Sequence, residues 1–383
     1  MKFSTRAIHS GQEPDEKTGA VITPLYLTST FKQDGIGRNR GYEYSRAGNP
    51  TRDVYEKCLA SLESAKYGLS FASGVAATMA ALYLLKTGDR ILASADIYGG
   101  TYRVFEAVLK QYGIHTDYSY SGESGDFLSK AGKNTKMIWI ETPTNPLLKI
   151  LDIKQISAAA KRIGAVLVVD NTFATPYFQR PLELGADIVI HSTTKYIGGH
   201  SDIIGGAALT SNREFYNKMK FYLKAAGSVA SPFDSWLALR GLKTLEVRMK
   251  KHEENGFAVA QYLSKHRKIE RVYYPGLKTH PGHNVAARQM SGFGGMVSFV
   301  MKRGKKDIED FISNLKIFTF AESLGGVESL ACVPSKMTHG FFSAKEKKKL
   351  GISENLIRLS AGIEDSGDPV SYTHLTLPTK RIV

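Results

Sequence analysis

Among 383 residues there are only two cysteines, Cys58 and Cys332. A disulfide-stapled module is thereby excluded, and so is a cysteine-rich zinc fold, because neither thiol sits in a CxxC or beside metal-spaced histidines. No stretch approaches the roughly eighteen uninterrupted apolar residues that a membrane span needs, and Met1-Lys-Phe-Ser-Thr-Arg6 carries no apolar core of a signal peptide. The expected location is therefore the cytoplasm, with no membrane partner. No repeat of fixed period is present, which removes solenoid architectures. Acidic residues are in deficit, 36 against 51 basic, for a net charge of +15. The densest basic runs, Lys302-Arg-Gly-Lys-Lys306 and Lys345-Glu-Lys-Lys-Lys349, lack interleaved aromatics and any helix-turn-helix or zinc-finger signature. They read as a solvated exterior with no nucleic-acid partner. What is present is ordinary for a folded chain: 42% hydrophobic and 23% charged residues, in a length that suits two or three domains.

From about residue 60 to 210, apolar runs of strand length alternate with helix-period segments, the pattern of βαβ units and a mostly parallel sheet. Three predicted strands end in polar residues. Met137-Ile-Trp-Ile140 runs into Glu141-Thr-Pro-Thr-Asn-Pro146, Ala165-Val-Leu-Val-Val169 into Asp170-Asn-Thr, and Ile188-Val-Ile190 into His191-Ser-Thr-Thr-Lys195. Between the first two, Asp152 to Ile163 spaces its apolar residues as an amphipathic helix with an acidic first turn. In open α/β sheets ligands bind outside the carboxyl ends of the strands, so these residues are expected to converge. Residues 1–45 read as an extended arm, 46–241 as a large domain and 242–365 as a second α+β domain opened by a long helix from Leu242 to His266.

A lone lysine is ordinarily a solvated charge, and Lys195 gains meaning from its company. Asp170 ends a buried apolar strand, where an unpaired carboxylate is costly unless a cation meets it. Ala72-Ser-Gly-Val75 opens a helix-period run, Ala76 to Leu85, so amides of Gly74 and Val75 would face an anion at a helix N-terminus, with Ser192 and Thr194 adding hydroxyls. Pyridoxal phosphate requires a lysine for its Schiff base, a carboxylate on the pyridinium nitrogen and a phosphate cradle. Singly these features are an N-cap, a surface charge and a strand end; together they supply all three requirements.

With these residues in view, the chain resembles the cystathionine-metabolising family of pyridoxal-phosphate enzymes, of the aminotransferase-like fold-type I. The resemblance covers roughly residues 3–365 and is carried by Tyr44-Ser-Arg-Ala-Gly-Asn-Pro-Thr51, Phe71-Ala-Ser-Gly74, Asp96-Ile-Tyr-Gly-Gly-Thr101, Glu141-Thr-Pro-Thr-Asn-Pro146 and Val169-Asp-Asn-Thr172. His191-Ser-Thr-Thr-Lys-Tyr196, Gly199-His-Ser-Asp202, Ala321-Glu-Ser-Leu-Gly-Gly-Val-Glu-Ser-Leu330 and Leu356-Ile-Arg-Leu-Ser-Ala-Gly-Ile-Glu-Asp365 extend it. The resemblance implies that Lys195 is the Schiff-base lysine and proton shuttle, Asp170 the pyridinium partner and Tyr98 the aromatic stacked on the ring. Gly74, Val75, Ser192 and Thr194 would hold the phosphate from within the subunit, and Tyr44 and Arg46 would reach it from a neighbour. Arg358 would take the substrate α-carboxylate with help from Asn145 and Ser323, while Glu322 would meet the distal amino group of a cystathionine-like substrate. A homo-oligomer with shared sites follows, a tetramer built as a dimer of dimers, acting on a small amino acid.

Within the family the resemblance points to cystathionine γ-lyase, giving cysteine, 2-oxobutyrate and ammonia. Cystathionine γ-synthase, which joins an O-acylhomoserine to cysteine, is the alternative. A catalytically idle binding protein is a more distant one, opposed by the intact Lys195, Asp170 and Arg358. Gly100 stands where methionine γ-lyases typically carry Cys. Gly292-Phe-Gly-Gly295 lacks the context of a dinucleotide fingerprint, and His280-Pro-Gly-His283 lacks further ligands, so no metal is expected. The resemblance stops at Asp365. Val370-Ser-Tyr-Thr-His-Leu375 looks like a translated sequencing adapter, and residues 366–383 are read as a non-native tail.

Overall fold

The structure, a computed structural model, describes residues 1–121, 123–302 and 305–368. The expected tail lies outside the described residues from position 369 onward, as do Arg303 and Gly304 of the first basic run.

The large sheet holds seven strands: β1 (Tyr67–Phe71), β2 (Arg90–Ser94), β3 (His115–Ser119), β4 (Thr135–Glu141), β5 (Val166–Asp170), β6 (Ile188–Ser192) and β7 (Gly206–Thr210). Their order is β1-β7-β6-β5-β4-β2-β3, parallel throughout except for β7, which runs against β1 and β6. The near-continuous apolar runs arise because both faces are covered. Alternate residues therefore enter different cores. Met137, Trp139 and Val168 pack with Phe105 and Ile190 on one face, while Ile138, Ile140, Leu167 and Val169 meet Ile153, Ile156 and Ala160 on the other. The latter three belong to the helix Ile153–Ile163, whose expected first-turn acid is its N-cap: Asp152 accepts from the Gln155 amide at 3.1 Å.

A second sheet, ordered β10-β11-β12-β9-β8, comprises β8 (Ile269–Tyr273), β9 (Met296–Met301), β10 (Thr319–Phe320), β11 (Leu330–Cys332) and β12 (Leu356–Ser360). Val297, Phe299, Ile357 and Leu359 bury its inner face against Val259 and Leu263. The fold is thus α/β, with a large mostly parallel sheet and a smaller second one.

Two elements differ from the sequence reading. The helix expected from Leu242 to His266 is two helices, Pro232–Lys243 and Leu245–Lys265, broken at Thr244 (φ −110°, ψ 6°). Buried Arg248 stabilises the break by donating to the Gly241 carbonyl at 2.7 Å and to Thr244 Oγ1 at 3.2 Å. The arm of residues 1–45 begins with a helix, α1 (Phe3–His9), that buries Ala7 and is tied by Arg6 to the Ser61 carbonyl at 2.6 Å on helix α2 (Pro50–Leu62). Among the described residues no helix is long and apolar enough to cross a membrane.

Candidate active site

The carboxyl edge of the large sheet delivers Glu141, Asp170 and Ser192 from three adjacent strand ends, and the loops beyond them enclose a cavity of about 340 Å³. Gly74, Val75, Ser192 and Thr194 line it, as do Tyr98, Asp170 and Lys195. Asn145, Glu322, Ser323 and Arg358 complete it from the facing side. Tyr44 and Arg46 do not line it. Arg46 donates instead to the Lys224 carbonyl at 2.7 Å, and its guanidinium stands 5.6 Å from the Tyr44 ring.

Helix α3 (Gly74–Leu82) starts two residues before, and stops three short of, its predicted span. Ser73 caps it by accepting from the Ala76 amide at 3.1 Å, so the amides of Gly74 and Val75, in the first turn, have no helical acceptor. The backbone here is crowded. A Cβ on Gly206 would stand 2.1 Å from the Ser73 carbonyl oxygen, and one on Gly74 3.0 Å from Ser192 Cβ. Only glycine at 206 lets β7 approach the helix start this closely.

The electrostatics are those of carboxylates short of cations. Asp170 receives both of its hydrogen bonds on Oδ1, from the Thr172 hydroxyl at 2.6 Å and the Thr172 amide at 3.0 Å, which leaves Oδ2 for a ligand. Burial pushes its carboxyl above the usual range, and the Thr172 bonds only temper that. Glu141 is raised well above its ordinary value, first by burial and then by the charge of Asp170. Its two oxygens accept from the Tyr98 amide at 2.7 Å and the Asn145 amide at 3.0 Å, joining two residues of the cavity wall. Tyr98 precedes the short helix α4 (Gly99–Arg103), and a Cβ on Gly100 would meet its ring at 2.3 Å. A side chain at position 100 would therefore displace that ring.

Lys195 Nζ donates to Ser323 Oγ at 2.8 Å. Its pKa is lowered to about 8, chiefly by burial and then by the Arg358 charge, with Glu322 opposing. Ser323 holds a left-handed φ of +98°, which turns its carbonyl onto Arg358 at 2.9 Å and its hydroxyl onto the lysine. Arg358, 2% exposed, also donates to Asn145 Oδ1 at 2.8 Å, while its Nε–H has no partner. A guanidinium on a cavity wall that donates only to neutral oxygens, those of Asn145 and Ser323, is a ready carboxylate seat.

The family profile described as Cys/Met metabolism PLP-dependent enzyme matches residues 4–371. The chain belongs to this family. It is 52% identical over 368 residues to a cystathionine γ-lyase of Dictyostelium discoideum, covering 96% of this chain and 95% of the relative. It is 50% identical over 364 residues to a cystathionine β-lyase of Coxiella burnetii, with 94% of each covered. The crystal structure of a cystathionine γ-synthase from Xanthomonas oryzae pv. oryzae, in complex with aminoacrylate and cysteine, superposes with a TM-score of 0.94 at 43% identity over 97% of both chains. The three relatives carry three different names, a γ-lyase, a β-lyase and a γ-synthase.

Pyridoxal phosphate is the cofactor of this family, and the cavity suits it. A buried carboxylate with an open oxygen, two unpaired helix amides beside hydroxyls, and a lysine amine held only by a serine hydroxyl lie around one space. The sequence reading expected Glu141 and Thr172 at this edge through their strand-end motifs but assigned neither of them a role. Glu141 ends a buried strand just as Asp170 does, and the same reasoning applies to it. Met337 and Thr338, also on the cavity wall, carry no comparable signal in the sequence.

Proposed function

We propose that the chain is a cystathionine γ-lyase, converting cystathionine and one water to cysteine, 2-oxobutyrate and ammonia. The pairing within one cavity of the Arg358–Asn145–Ser323 carboxylate seat with the Glu322 carboxylate supports a cystathionine-like substrate, and the resemblance of Phe71-Ala-Ser-Gly74, Ile140-Glu-Thr-Pro-Thr-Asn-Pro146 and Lys195-Tyr-Ile-Gly-Gly-His200 to lyase members favours the γ-lyase. Bound pyridoxal phosphate supplies an electron sink for a carbanion at the substrate α-carbon. Asp170 keeps the ring nitrogen positive, and Gly74, Val75, Ser192 and Thr194 hold the phosphate. Tyr98 covers the ring. Lys195 would hold the cofactor covalently, and its amine would move protons on and off the substrate carbons; its lowered pKa makes the free amine accessible near neutrality.

Product analysis tests the assignment. Incubated with cystathionine, the holoenzyme should release cysteine and 2-oxobutyrate. Homocysteine and pyruvate in their place would make it a β-lyase, and turnover only of an O-acylhomoserine with cysteine a γ-synthase.

The proposal extends to a homo-oligomer, a dimer of dimers, in which Tyr44 and Arg46 of one chain complete the phosphate site of another. Val21 and Leu27 on the same arm expose 82% and 70% of their surface in the single chain, which suits a surface meant to be covered. Mixing unfolded Arg46→Ala and Lys195→Ala chains and refolding them together should restore activity, because each hybrid pair holds one complete site. Hybrids as inactive as their parents would mean that each site is built within one chain.

A further inference from the structure

Glu63, the residue that ends helix α2, lies on the face of the large sheet away from the cavity, and it is fully buried. Its Oε1 accepts from Asn171 Nδ2 at 2.9 Å and pairs with His191 Nε2 at 2.5 Å, both residues being fully buried as well. Asn171 immediately follows Asp170 at the end of β5, and His191 immediately precedes Ser192 at the end of β6. Successive residues of an extended chain face opposite sides of a sheet. Asp170 and Ser192 accordingly line the cavity, whereas Asn171 and His191 turn away from it and meet on one carboxylate oxygen.

The cavity side carries a matching bridge. Thr172 Oγ1 donates to Asp170 Oδ1 at 2.6 Å and accepts from the Ser192 amide at 2.9 Å. The two strand ends are therefore laced together in front by a threonine and behind by a glutamate. Gln179 fixes the Asn171 amide in turn, through a bond to its carbonyl oxygen at 2.9 Å.

We propose that Glu63 is a positioning residue for the cofactor, setting the spacing between the residue that meets its ring nitrogen and the residue that helps hold its phosphate. This rests on the reading of Asp170 and Ser192 given above. The physical case has two parts. First, the ring nitrogen and the phosphate of pyridoxal phosphate are a fixed distance apart, so the protein groups that hold them must match that span, and a site held too loosely loses its function. Second, the Glu63–His191 pair is poorly made as a stabilising device. Glu63 Oε2 and His191 Nδ1 are both buried without a partner, and a buried polar pair with unmet atoms contributes little or costs stability compared with apolar packing. As a rigid spacer it needs only the one shared oxygen.

The test uses the full chain, with pyridoxal phosphate titrated into the apoprotein and followed by the visible band. Glu63→Leu, which keeps the volume and removes the acceptor, should raise the cofactor Kd by about tenfold or more, the size of leaving buried donors unmet. The kcat should fall while KM for cystathionine stays unchanged. Glu63→Gln retains an acceptor oxygen and should recover most of the affinity. His191→Leu and His191→Gln should repeat the pattern from the other end of the bond, since the glutamine amide can still donate to Glu63, and they decide the matter should Glu63→Leu not fold. Wild-type cofactor affinity in the leucine variants would overturn the proposal, as would glutamine variants no better than the leucine ones. Asp170→Ala serves as the reference. If it too binds the cofactor like wild type, the reading of the site is wrong; if it is weakened while the leucine variants are not, only the role of Glu63 falls.

Discussion

Lys195→Ala should stop turnover. Loss of positioned proton transfer alone removes about 10²–10⁴-fold, and loss of the covalent hold on the cofactor adds to that. The lysine amine has one hydrogen-bond partner, Ser323, and is otherwise presented to the cavity. Borohydride reduction of the holoenzyme followed by peptide mapping should place the cofactor on Lys195; a tag on another lysine would refute the assignment. The lowered pKa adds a pH signature. Below about 8 the amine is protonated and cannot attack an aldehyde, so the rate at which apoprotein captures pyridoxal phosphate should climb with pH and level off above about 8. Capture independent of pH between 6 and about 9 would mean that burial does not tune this amine in the way its surroundings require.

Asp170→Asn should have opposite effects on the two forms of the protein. With cofactor bound, removing the negative charge beside the ring nitrogen weakens the electron sink, and kcat should drop by about 10²-fold, the scale of losing one preorganised charge contact. Without cofactor, the substitution should leave the apoprotein as stable or more stable. Burial raises the Asp170 pKa above that of the unfolded chain, so folding takes up a proton in the window between the two values. The ionised carboxylate therefore destabilises the apoprotein at neutral pH, and that cost disappears as pH falls through the raised pKa or when the charge is deleted. Thermal unfolding of the apo and holo forms, together with steady-state rates, reads both effects. A variant with full turnover, or one whose apo form unfolds at a much lower temperature, would show that Asp170 serves the fold and not the cofactor.

Three of the seven strands of the large sheet and half of the site could be read from the chain itself. Strands β4, β5 and β6 announce themselves because sheets covered on both faces need unbroken apolar runs, and a polar residue that ends such a run has to have a reason. That logic finds Asp170, Ser192 and Lys195, and it reaches Glu141 if applied without exception. Local chemistry likewise marks the Ser73 cap and the Asp152 cap, although helix ends moved by a few residues. The break at Thr244 was not legible, because the periodicity of the chain runs through it and only the buried guanidinium of Arg248, folded back on Gly241, makes the turn stable. The short helix Phe3–His9 was hidden for a related reason: it is held by contacts with α2 and has little propensity signal of its own. The carboxylate seat joins Asn145 to Arg358 across 213 positions, and the lacing behind the site joins Glu63 to His191 across 128. Composition and spacing can nominate each of those residues, but hydrogen bonds between distant strand ends depend on a geometry that exists only when the sheets have formed. Tertiary structure alone therefore decides that one glutamate oxygen is shared by Asn171 and His191, and that Tyr44 and Arg46 lie outside the cavity of their own chain.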